Sequence, residues 1–268
     1  MSGELTLQSV LAAIPGWENA TAARLEGGRT NRAWLVDANG RRAVLKIDVE
    51  ARGAPYNSRR AEAAVQTAAA SHGLANPVLF VNEQVYLTEY RDGRVWTHED
   101  LHDENKLTDL GHALRNLHAL PPSGRTFDAN AAMRVYLENI PDRGGVTLRR
   151  CVDIVTLATR SSDLCLCHND LVAENILSVP EIRFLDWEYA CDNDPCFDLA
   201  TLIAHHDLTD AQADLLVHAY SGGRAARAWP RIVEQLRLYD ALHWLWLEAQ
   251  PDPERHRDEL AAIAARLG

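Results

Sequence analysis

No run of apolar residues in the chain approaches the roughly 18 to 20 residues needed to span a bilayer, so no membrane partner is expected. The first residues, Met1-Ser2-Gly3-Glu4, have neither the basic start nor the apolar core of a signal peptide. Five cysteines in 268 residues are an odd number and too few for a disulfide scaffold, which fits a reducing compartment. We therefore expect a cytoplasmic protein.

A zinc site is the alternative use of the cysteines. Four of them and one histidine flank the same two motifs: Cys165, Cys167, His168, Cys191 and Cys196. The segment around Cys165 and Cys167 is apolar and predicts a strand, and small buried thiols are common in such segments. We therefore favour buried, structural cysteines.

Lysine is scarce. Lys46 and Lys106 are the only lysines among 27 basic residues. Because this chain otherwise uses arginine for its cations, a lysine inside the apolar stretch 44–47 is a candidate for a specific role. An ammonium group on a strand can pair with the α- and β-phosphates of a nucleotide. The alternative is a lysine that extends from the strand into solvent.

An excess of basic charge is also absent. Residues 1–92 hold 10 basic and 10 acidic side chains, so the net charge of −11 falls entirely after residue 92. An acidic surface repels nucleic acid, and no nucleic-acid partner is expected. The same field attracts a cationic ligand, although an acidic, solvated surface without a ligand would have the same charge.

The first third of the chain has the pattern of an antiparallel sheet. Asn39-Gly40 predicts a tight hairpin turn, followed by a buried strand at 43–47. Residues 59–72 predict a helix, and 78–81 and 84–89 predict two more strands.

After a hinge at 90–93, helical periodicity dominates. Helices are predicted around 107–117 and at 131–140, 146–158, 198–206, 210–220, 231–249 and 258–267, with short strands at 163–167, 175–178 and 182–186. The fold class is therefore α+β, with a small β-rich N-terminal lobe, 1–92, and a larger, mainly helical lobe, 93–268. We expect the first to bind nucleotide and the second to carry the catalytic and acceptor-binding residues.

The most informative motif is His168-Asn169-Asp170, followed by Asn175 and, after an apolar run, Asp186. Phosphoryl transfer requires an aspartate that accepts the proton of the attacking hydroxyl, and an asparagine and a second aspartate that hold Mg²⁺ against the nucleotide phosphates. This spacing assigns Asp170 as the base and Asn175 and Asp186 as the metal ligands. A triplet such as His-x-Asp alone would be weak evidence, but the joint spacing is rare.

At these residues the chain resembles the choline/ethanolamine kinase and aminoglycoside phosphotransferase superfamily, and most closely bacterial choline kinases. The likeness is strongest at residues 168–171, 185–190, 193–195 and 197–200. It implies a protein-kinase-like two-lobe fold with ATP and Mg²⁺ as cofactors. Glu188 replaces the glycine of protein kinases, and no activation segment ending in Ala-Pro-Glu is present, which indicates a small-molecule substrate.

The resemblance also implies a nucleotide site. Lys46 would bind the phosphates, and Glu62 is the carboxylate that orients it. A loop with Gly27, Gly28, Thr30 and Asn31 would cover the phosphates. Glu89 and Tyr90 would contact the adenine edge through their backbone groups. The glycine loop by itself would predict no more than a hairpin turn.

Three residues near the motif have two interpretations each. His168 is assigned to the catalytic loop, more as a packing and hydrogen-bonding group than as a proton carrier. Glu188 either reaches a second metal through water or orients its loop. Asp198 is either a helix N-cap or, as the resemblance implies, a residue that braces the catalytic loop.

For the acceptor, the informative segment is 239–248. Aromatic faces beside a carboxylate bind quaternary ammonium groups, with cation–π energies of about 0.5 to 2 kcal/mol each. The candidates are Tyr239, His243, Trp244 and Trp246, with Asp194 or Asp240 as the carboxylate. The alternative is that these aromatic residues belong to the core, because positions 239, 243 and 246 share one helix face.

The sequence therefore predicts an ATP-dependent kinase that phosphorylates the hydroxyl of a small cationic alcohol, with choline or ethanolamine preferred. Thiamine kinase and aminoglycoside phosphotransferase are the nearest alternatives. A nucleotide-binding pseudoenzyme with a regulatory role is a third, against which the intact set Lys46, Asp170, Asn175 and Asp186 argues. No feature of the sequence predicts an oligomeric state.

Overall fold

The computed structural model describes residues 6–25, 32–48, 52, 56–141, 144–159, 161–222 and 225–268. The chain divides into two compact units. The N-terminal unit comprises Met1–Arg94 and Leu177–Glu188, and the C-terminal unit comprises Val95–Ile176 and Tyr189–Gly268. The functional division at residue 92 stays a prediction.

A five-stranded antiparallel sheet in the order β1-β2-β3-β5-β4 forms the frame of the N-terminal unit. Its elements are α1 (Leu7–Ala12), β1 (Thr21–Leu25), β2 (Arg32–Ala38), β3 (Arg41–Ile47), α2 (Arg59–Ser71), β4 (Val78–Val81) and β5 (Val85–Glu89). A three-stranded sheet consists of β6 (Arg94–Val95), β8 (Ile176–Val179) and β9 (Glu181–Phe184) in the order β6-β8-β9.

The hairpin between β2 and β3 is confirmed. Asn39 and Gly40 both have positive φ angles, 57° and 84°, as a two-residue turn between twisted strands requires. The turn fixes the register of β3, so that Ala43, Leu45 and Ile47 are buried in the core. Alternation then places Lys46 on the opposite face of the sheet.

The helices of the C-terminal unit are α3 (Glu104–His118), α4 (Ala129–Asn139), α5 (Val146–Leu157), α6 (Pro195–His205), α7 (Asp210–Ser221), α8 (Ala225–Glu248) and α9 (Arg257–Leu267). A short antiparallel pair joins β7 (Cys165–Cys167) to β10 (Cys191–Asn193). The α+β class is confirmed. Within the described ranges, none of the helices combines the length and apolar character needed to cross a bilayer.

Two helix starts and one additional strand differ from the sequence expectations. Helix α6 begins at Pro195 rather than at 198, because Asp194 caps it and proline fits the first helical turn. Helix α8 begins at Ala225 rather than at 231 and continues through Pro230. The strand β10 was not predicted; it has only three residues and lies between the two motifs.

The core of the C-terminal unit surrounds α8, which packs against α4, α5, α6 and α9. Trp244, Leu245 and Leu247 of α8 are buried there. This packing fixes the rotation of α8 and therefore determines which residues of segment 239–248 remain on its other face.

Gly111 lets α3 and α7 approach each other closely. A Cβ atom at Gly111 would lie 2.7 Å from Ala219 Cβ and 2.9 Å from the Tyr220 nitrogen. Alanine favours a helix over glycine by about 1 kcal/mol, whereas overpacking costs about 1 to 3 kcal/mol. We predict that Gly111→Ala lowers the free energy of unfolding in urea. Unchanged stability of Gly111→Ala would contradict this packing.

Candidate active site

The loop between β7 and β8 carries the principal motif of the sequence. Asn175 ends a 3₁₀ turn, Ala173–Asn175, and its Nδ2 donates hydrogen bonds to the backbone oxygen of Asp170, 2.8 Å, and to Asp170 Oδ2, 3.0 Å. These two bonds position the Asp170 carboxylate. Because the amide nitrogen is used in this way, Oδ1 is the Asn175 atom suited to a cation.

Asn169 fixes the loop in an unusual conformation. Its φ angle is 66°, a left-handed conformation that asparagine tolerates better than most residues. Its Nδ2 donates to the backbone oxygens of Tyr189, 3.1 Å, and Cys191, 3.3 Å, and its Oδ1 accepts from Asn193 Nδ2 at 2.8 Å. Such strain persists only where the surroundings hold it, which is common at functional sites.

Asp198 lies below the loop and is fully buried in α6. Its Oδ2 accepts from the His168 backbone N–H and its Oδ1 from the Asn169 backbone N–H, both at 2.8 Å. The cap of α6 is Asp194, so the N-cap interpretation of Asp198 is wrong. Asp198 instead holds two consecutive amides directly before Asp170.

A buried histidine that the sequence analysis missed completes this arrangement. His118, in the last turn of α3, lies with Nε2 3.0 Å from Asp198 Oδ2 and Nδ1 2.9 Å from the Tyr220 hydroxyl. Burial alone would lower the pKa of His118, but the hydrogen bond and charge of Asp198 outweigh it and raise the pKa. When protonated, the His118 imidazolium balances the charge of the Asp198 carboxylate.

This pair predicts a pH-dependent stability. The pKa of folded His118 lies above the ordinary 6.5, so the pair contributes fully below that pH and is lost as pH rises through the folded value. We expect the difference in unfolding free energy between the wild type and His118→Gln to shrink between about pH 6 and about pH 9. Urea titrations across this range measure it. A difference that does not change with pH would contradict the assignment.

In the N-terminal unit, Asp186 follows the end of β9 and has a φ angle of 59°. Its Oδ1 lies 2.8 Å from Lys46 Nζ. Burial acts to lower the pKa of Lys46, but the carboxylates of Asp186, Glu62 and Glu188 outweigh it and raise the pKa. Lys46 is therefore a fixed cation between carboxylates and not a lysine that extends into solvent.

Glu62 has other ion-pair partners than the sequence analysis expected. Its Oε2 accepts from Arg52 Nη1 at 3.0 Å and from Arg59 Nη1 at 2.8 Å. These two arginines are the ion-pair partners of Glu62 in the structure, and Arg59 lies three residues before it on α2. The negative charge of Glu62 still helps to raise the pKa of Lys46.

Glu188 is held within the same unit. Its Oε2 accepts from Arg52 Nη2 at 2.9 Å, and its backbone oxygen accepts from Asn57 N at 2.7 Å. Burial and the neighbouring charge of Asp186 raise the pKa of Glu188 to about 7. The arginine contact fits the interpretation that Glu188 orients the loop, and burial is the main cause of its raised pKa.

The remaining nucleotide residues are only partly described. Gly27, Gly28, Thr30 and Asn31 lie outside the described residues. The backbone N–H groups of Glu89 and Tyr90 already donate to Pro77 O, 2.8 Å, and Arg42 O, 3.0 Å. The backbone groups of Glu89 and Tyr90 that are left to hydrogen-bond with adenine are therefore their carbonyl oxygens.

The acceptor candidates separate into two groups. Tyr239, His243 and Trp246 share one face of α8, with ring centroids 5.3 Å and 6.1 Å apart in that order. Tyr239 and Trp244 are both buried in the core of the C-terminal unit, whereas Trp246 packs against that core and is only partly buried. Burial and the carboxylate of Asp170 raise the pKa of Tyr239, so this face lies within electrostatic reach of the catalytic loop.

Both candidate carboxylates already have arginine partners. Asp194 caps α6 through Cys196 N at 2.8 Å and pairs with Arg231. Asp240 accepts two hydrogen bonds from Arg266, at 2.9 Å and 2.6 Å. Arg231 lies 37 residues from its partner and Arg266 lies 26 residues from its partner, so no spacing in the sequence indicates these pairs.

Three features define a protein-kinase-like phosphotransferase. They are Lys46 on a strand of the sheet, Asp186 after the end of a strand, and the loop that carries Asp170 and Asn175. The sequence model of the phosphotransferase enzyme family matches residues 21–232, and the chain belongs to this family.

Individual relatives agree with this assignment. Protein LicA of Haemophilus influenzae is 30% identical over 207 residues, 72% of this chain and 61% of that protein, so the chain spans less than two thirds of this relative. A solved choline/ethanolamine kinase family protein from Mesorhizobium loti is 26% identical, with a TM-score of 0.74 over 97% of this chain and 92% of the other.

Choline kinase LicA from Streptococcus pneumoniae has the same fold, with a TM-score of 0.75 at 19% identity, over 92% of this chain and 94% of the other. These likenesses confirm the expected protein-kinase-like fold and the superfamily resemblance.

Proposed function

We propose that this phosphotransferase is an ATP-dependent kinase that phosphorylates the hydroxyl of a small cationic alcohol, with choline or ethanolamine preferred, in the cytoplasm. The observation that carries the proposal is the catalytic loop, in which Asn175 holds Asp170 by two hydrogen bonds and Asp198 holds the two preceding amides. The relative that is 26% identical and described as a choline/ethanolamine kinase family protein supports the choice of acceptor.

Asp170 acts as the base of this reaction. Its carboxylate accepts the proton of the acceptor hydroxyl while that oxygen attacks the γ-phosphorus of ATP, and the bond from this phosphorus to the bridging oxygen breaks so that ADP leaves. Asn175 keeps the carboxylate in place, and His118 holds Asp198, which in turn holds the loop through two backbone amides. His168 contributes its backbone N–H to this brace, so its role in the reaction is structural.

The donor groups fit Mg²⁺. Asn175 offers an amide oxygen, and Asp186 and Glu188 offer carboxylates, which are the hard oxygen ligands that this ion prefers. Bound Mg²⁺ would neutralise charge on the β- and γ-phosphates.

Lys46 binds the nucleotide phosphates in this proposal. Its ammonium group is held 2.8 Å from Asp186, which keeps it charged and in one position. The charge of Glu62 helps to keep Lys46 protonated. The rest of the nucleotide site remains a prediction and comprises Gly27, Gly28, Thr30, Asn31, Glu89 and Tyr90.

The aromatic face of α8 binds the cationic head of the acceptor. Trp246 is its main member, because Tyr239 and Trp244 are both buried in the core, whereas Trp246 is only partly buried. The pairing of Asp194 and Asp240 with arginines makes both poor partners for a second cation, so cation–π attraction and the net negative charge of the chain supply the recognition.

Trp246→Ala tests this assignment. Loss of one aromatic face should remove about 0.5 to 2 kcal/mol of acceptor binding, which raises the KM for choline by about 2- to 30-fold and leaves the KM for ATP unchanged. Steady-state ADP release with each substrate varied in turn measures both constants. Trp229→Ala, on the same helix but hydrogen-bonded to Asp214, is the control. Equal effects of both variants on choline would remove Trp246 from the acceptor site.

A screen for ADP release tests the function itself. Choline, ethanolamine, thiamine and aminoglycosides, each with Mg-ATP, separate the leading acceptor from its alternatives. Fastest turnover with choline or ethanolamine supports the proposal. A neutral sugar or nucleoside alcohol that reacts faster than all four cationic classes would refute it.

A further inference from the structure

A cluster of histidines lies in the C-terminal unit on α6, α8 and α9. His205 is the last residue of α6 and His243 lies in α8, with ring centroids 5.3 Å apart. Glu259, in the first turn of α9, has Oε1 3.4 Å from His243 Nε2. One ligand atom from each of these three residues lies within 4.8 Å of the others.

We propose that His205, His243 and Glu259 bind a divalent transition-metal ion, with Zn²⁺ preferred. Two imidazoles and one carboxylate are a donor set typical of zinc, whereas Mg²⁺ prefers oxygen ligands alone. Two atoms bound at about 2.0 to 2.1 Å with a tetrahedral angle lie about 3.4 Å apart. The His243–Glu259 separation of 3.4 Å meets this requirement. Glu259 is 44% exposed, so its carboxylate has room to adjust to the ion.

The surroundings of the three residues support a metal. His205 Nδ1 lies 2.9 Å from the Tyr239 hydroxyl, and metal-bound histidines commonly use one ring nitrogen for such an orienting hydrogen bond. His256 Nδ1 lies 3.6 Å from Glu259 Oε2 and offers a further imidazole.

This site is distinct from the Mg²⁺ ligands of the proposed reaction and assigns His243 to a metal rather than to the acceptor. A bound ion would cross-link three helices next to Tyr239 of the aromatic face. A second group of potential ligands, His118, Cys165 and Cys167, also lies within 4.8 Å. Both ring nitrogens of His118 are hydrogen-bonded, to Tyr220 and Asp198, so that group is the weaker candidate.

Calorimetric titration of ZnCl₂ into the EDTA-treated, full-length protein tests the proposal. We expect one Zn²⁺ per chain, and Glu259→Gln and His243→Ala should each weaken its affinity at least about tenfold. Cys165→Ser and the exposed-histidine variant His218→Ala should bind as the wild type does. Zn²⁺ should raise the Tm of the wild type and of Cys165→Ser, and not that of Glu259→Gln.

Glu259→Gln changes an exposed side chain and keeps its size, so it remains informative even if His243→Ala fails to fold. Absence of stoichiometric binding to the wild type would overturn the proposal, and so would unchanged affinity in Glu259→Gln. Binding that disappears in Cys165→Ser, with a sulfur-to-metal charge-transfer band in the Co²⁺-substituted protein, would place the metal at the cysteines instead.

Discussion

Replacing Asp170 by asparagine should lower kcat by about 10²- to 10⁴-fold, the usual contribution of a positioned general base. The amide keeps the shape of the side chain but cannot take the proton of the acceptor hydroxyl. Because Asp170 is assigned no metal, the affinity for Mg-ATP should stay near that of the wild type. Single-turnover kinetics and nucleotide titration by fluorescence or calorimetry separate the two effects.

The exposed Asp163, on the chain shortly before β7, provides the matched control as Asp163→Asn. This variant should retain full turnover. Near-full turnover of Asp170→Asn with the best acceptor would show that Asp170 is not the base. Loss of nucleotide affinity in the same variant would instead assign it to the metal.

Asp186→Ala should fail in a different way. Removal of the carboxylate that we propose as a metal ligand is expected to raise the KM for Mg-ATP at least about tenfold and to shift the Mg²⁺ dependence of the rate to higher concentrations. The substitution also removes the ion-pair partner of Lys46, whose pKa Asp186 helps to raise. Initial rates over a matrix of ATP and Mg²⁺ concentrations measure the effect.

Asp109→Ala, on an exposed position of α3, is the control for the loss of an acidic side chain. It should leave both constants unchanged. If the rate of Asp186→Ala saturated with Mg²⁺ and ATP at wild-type concentrations, Asp186 would have no role in metal binding. Circular dichroism confirms that any loss occurs in a folded protein.

Local patterns in the sequence predicted most of the elements. The turn at Asn39-Gly40, the strand 78–81 and the helix 59–72 follow from turn chemistry and periodicity, and the structure has β4 at Val78–Val81 and α2 at Arg59–Ser71. Helix α8 was predicted too short, because a proline is normally read as a helix boundary, yet Pro230 lies inside this helix.

The partners of the site residues are the part that the sequence did not predict. Asp198 pairs with His118 across 80 residues, and Arg52 joins Glu188 across 136 residues. Pairs at such distances depend on how the elements pack, and no periodicity encodes them. The neutralisation of Asp240 by Arg266 is the clearest case, since the isolated acid in an aromatic segment resembled a partner for a cationic ligand.

The central claim is that the chain transfers the γ-phosphate of ATP to the hydroxyl of a cationic alcohol. The most direct test is ³¹P NMR of the purified protein with ATP, Mg²⁺ and choline or ethanolamine. The account predicts a phosphomonoester resonance of the acceptor that grows in step with ADP, requires Mg²⁺ and is absent with Asp170→Asn. ADP that accumulates with inorganic phosphate alone, or no ADP with any cationic alcohol, would contradict it.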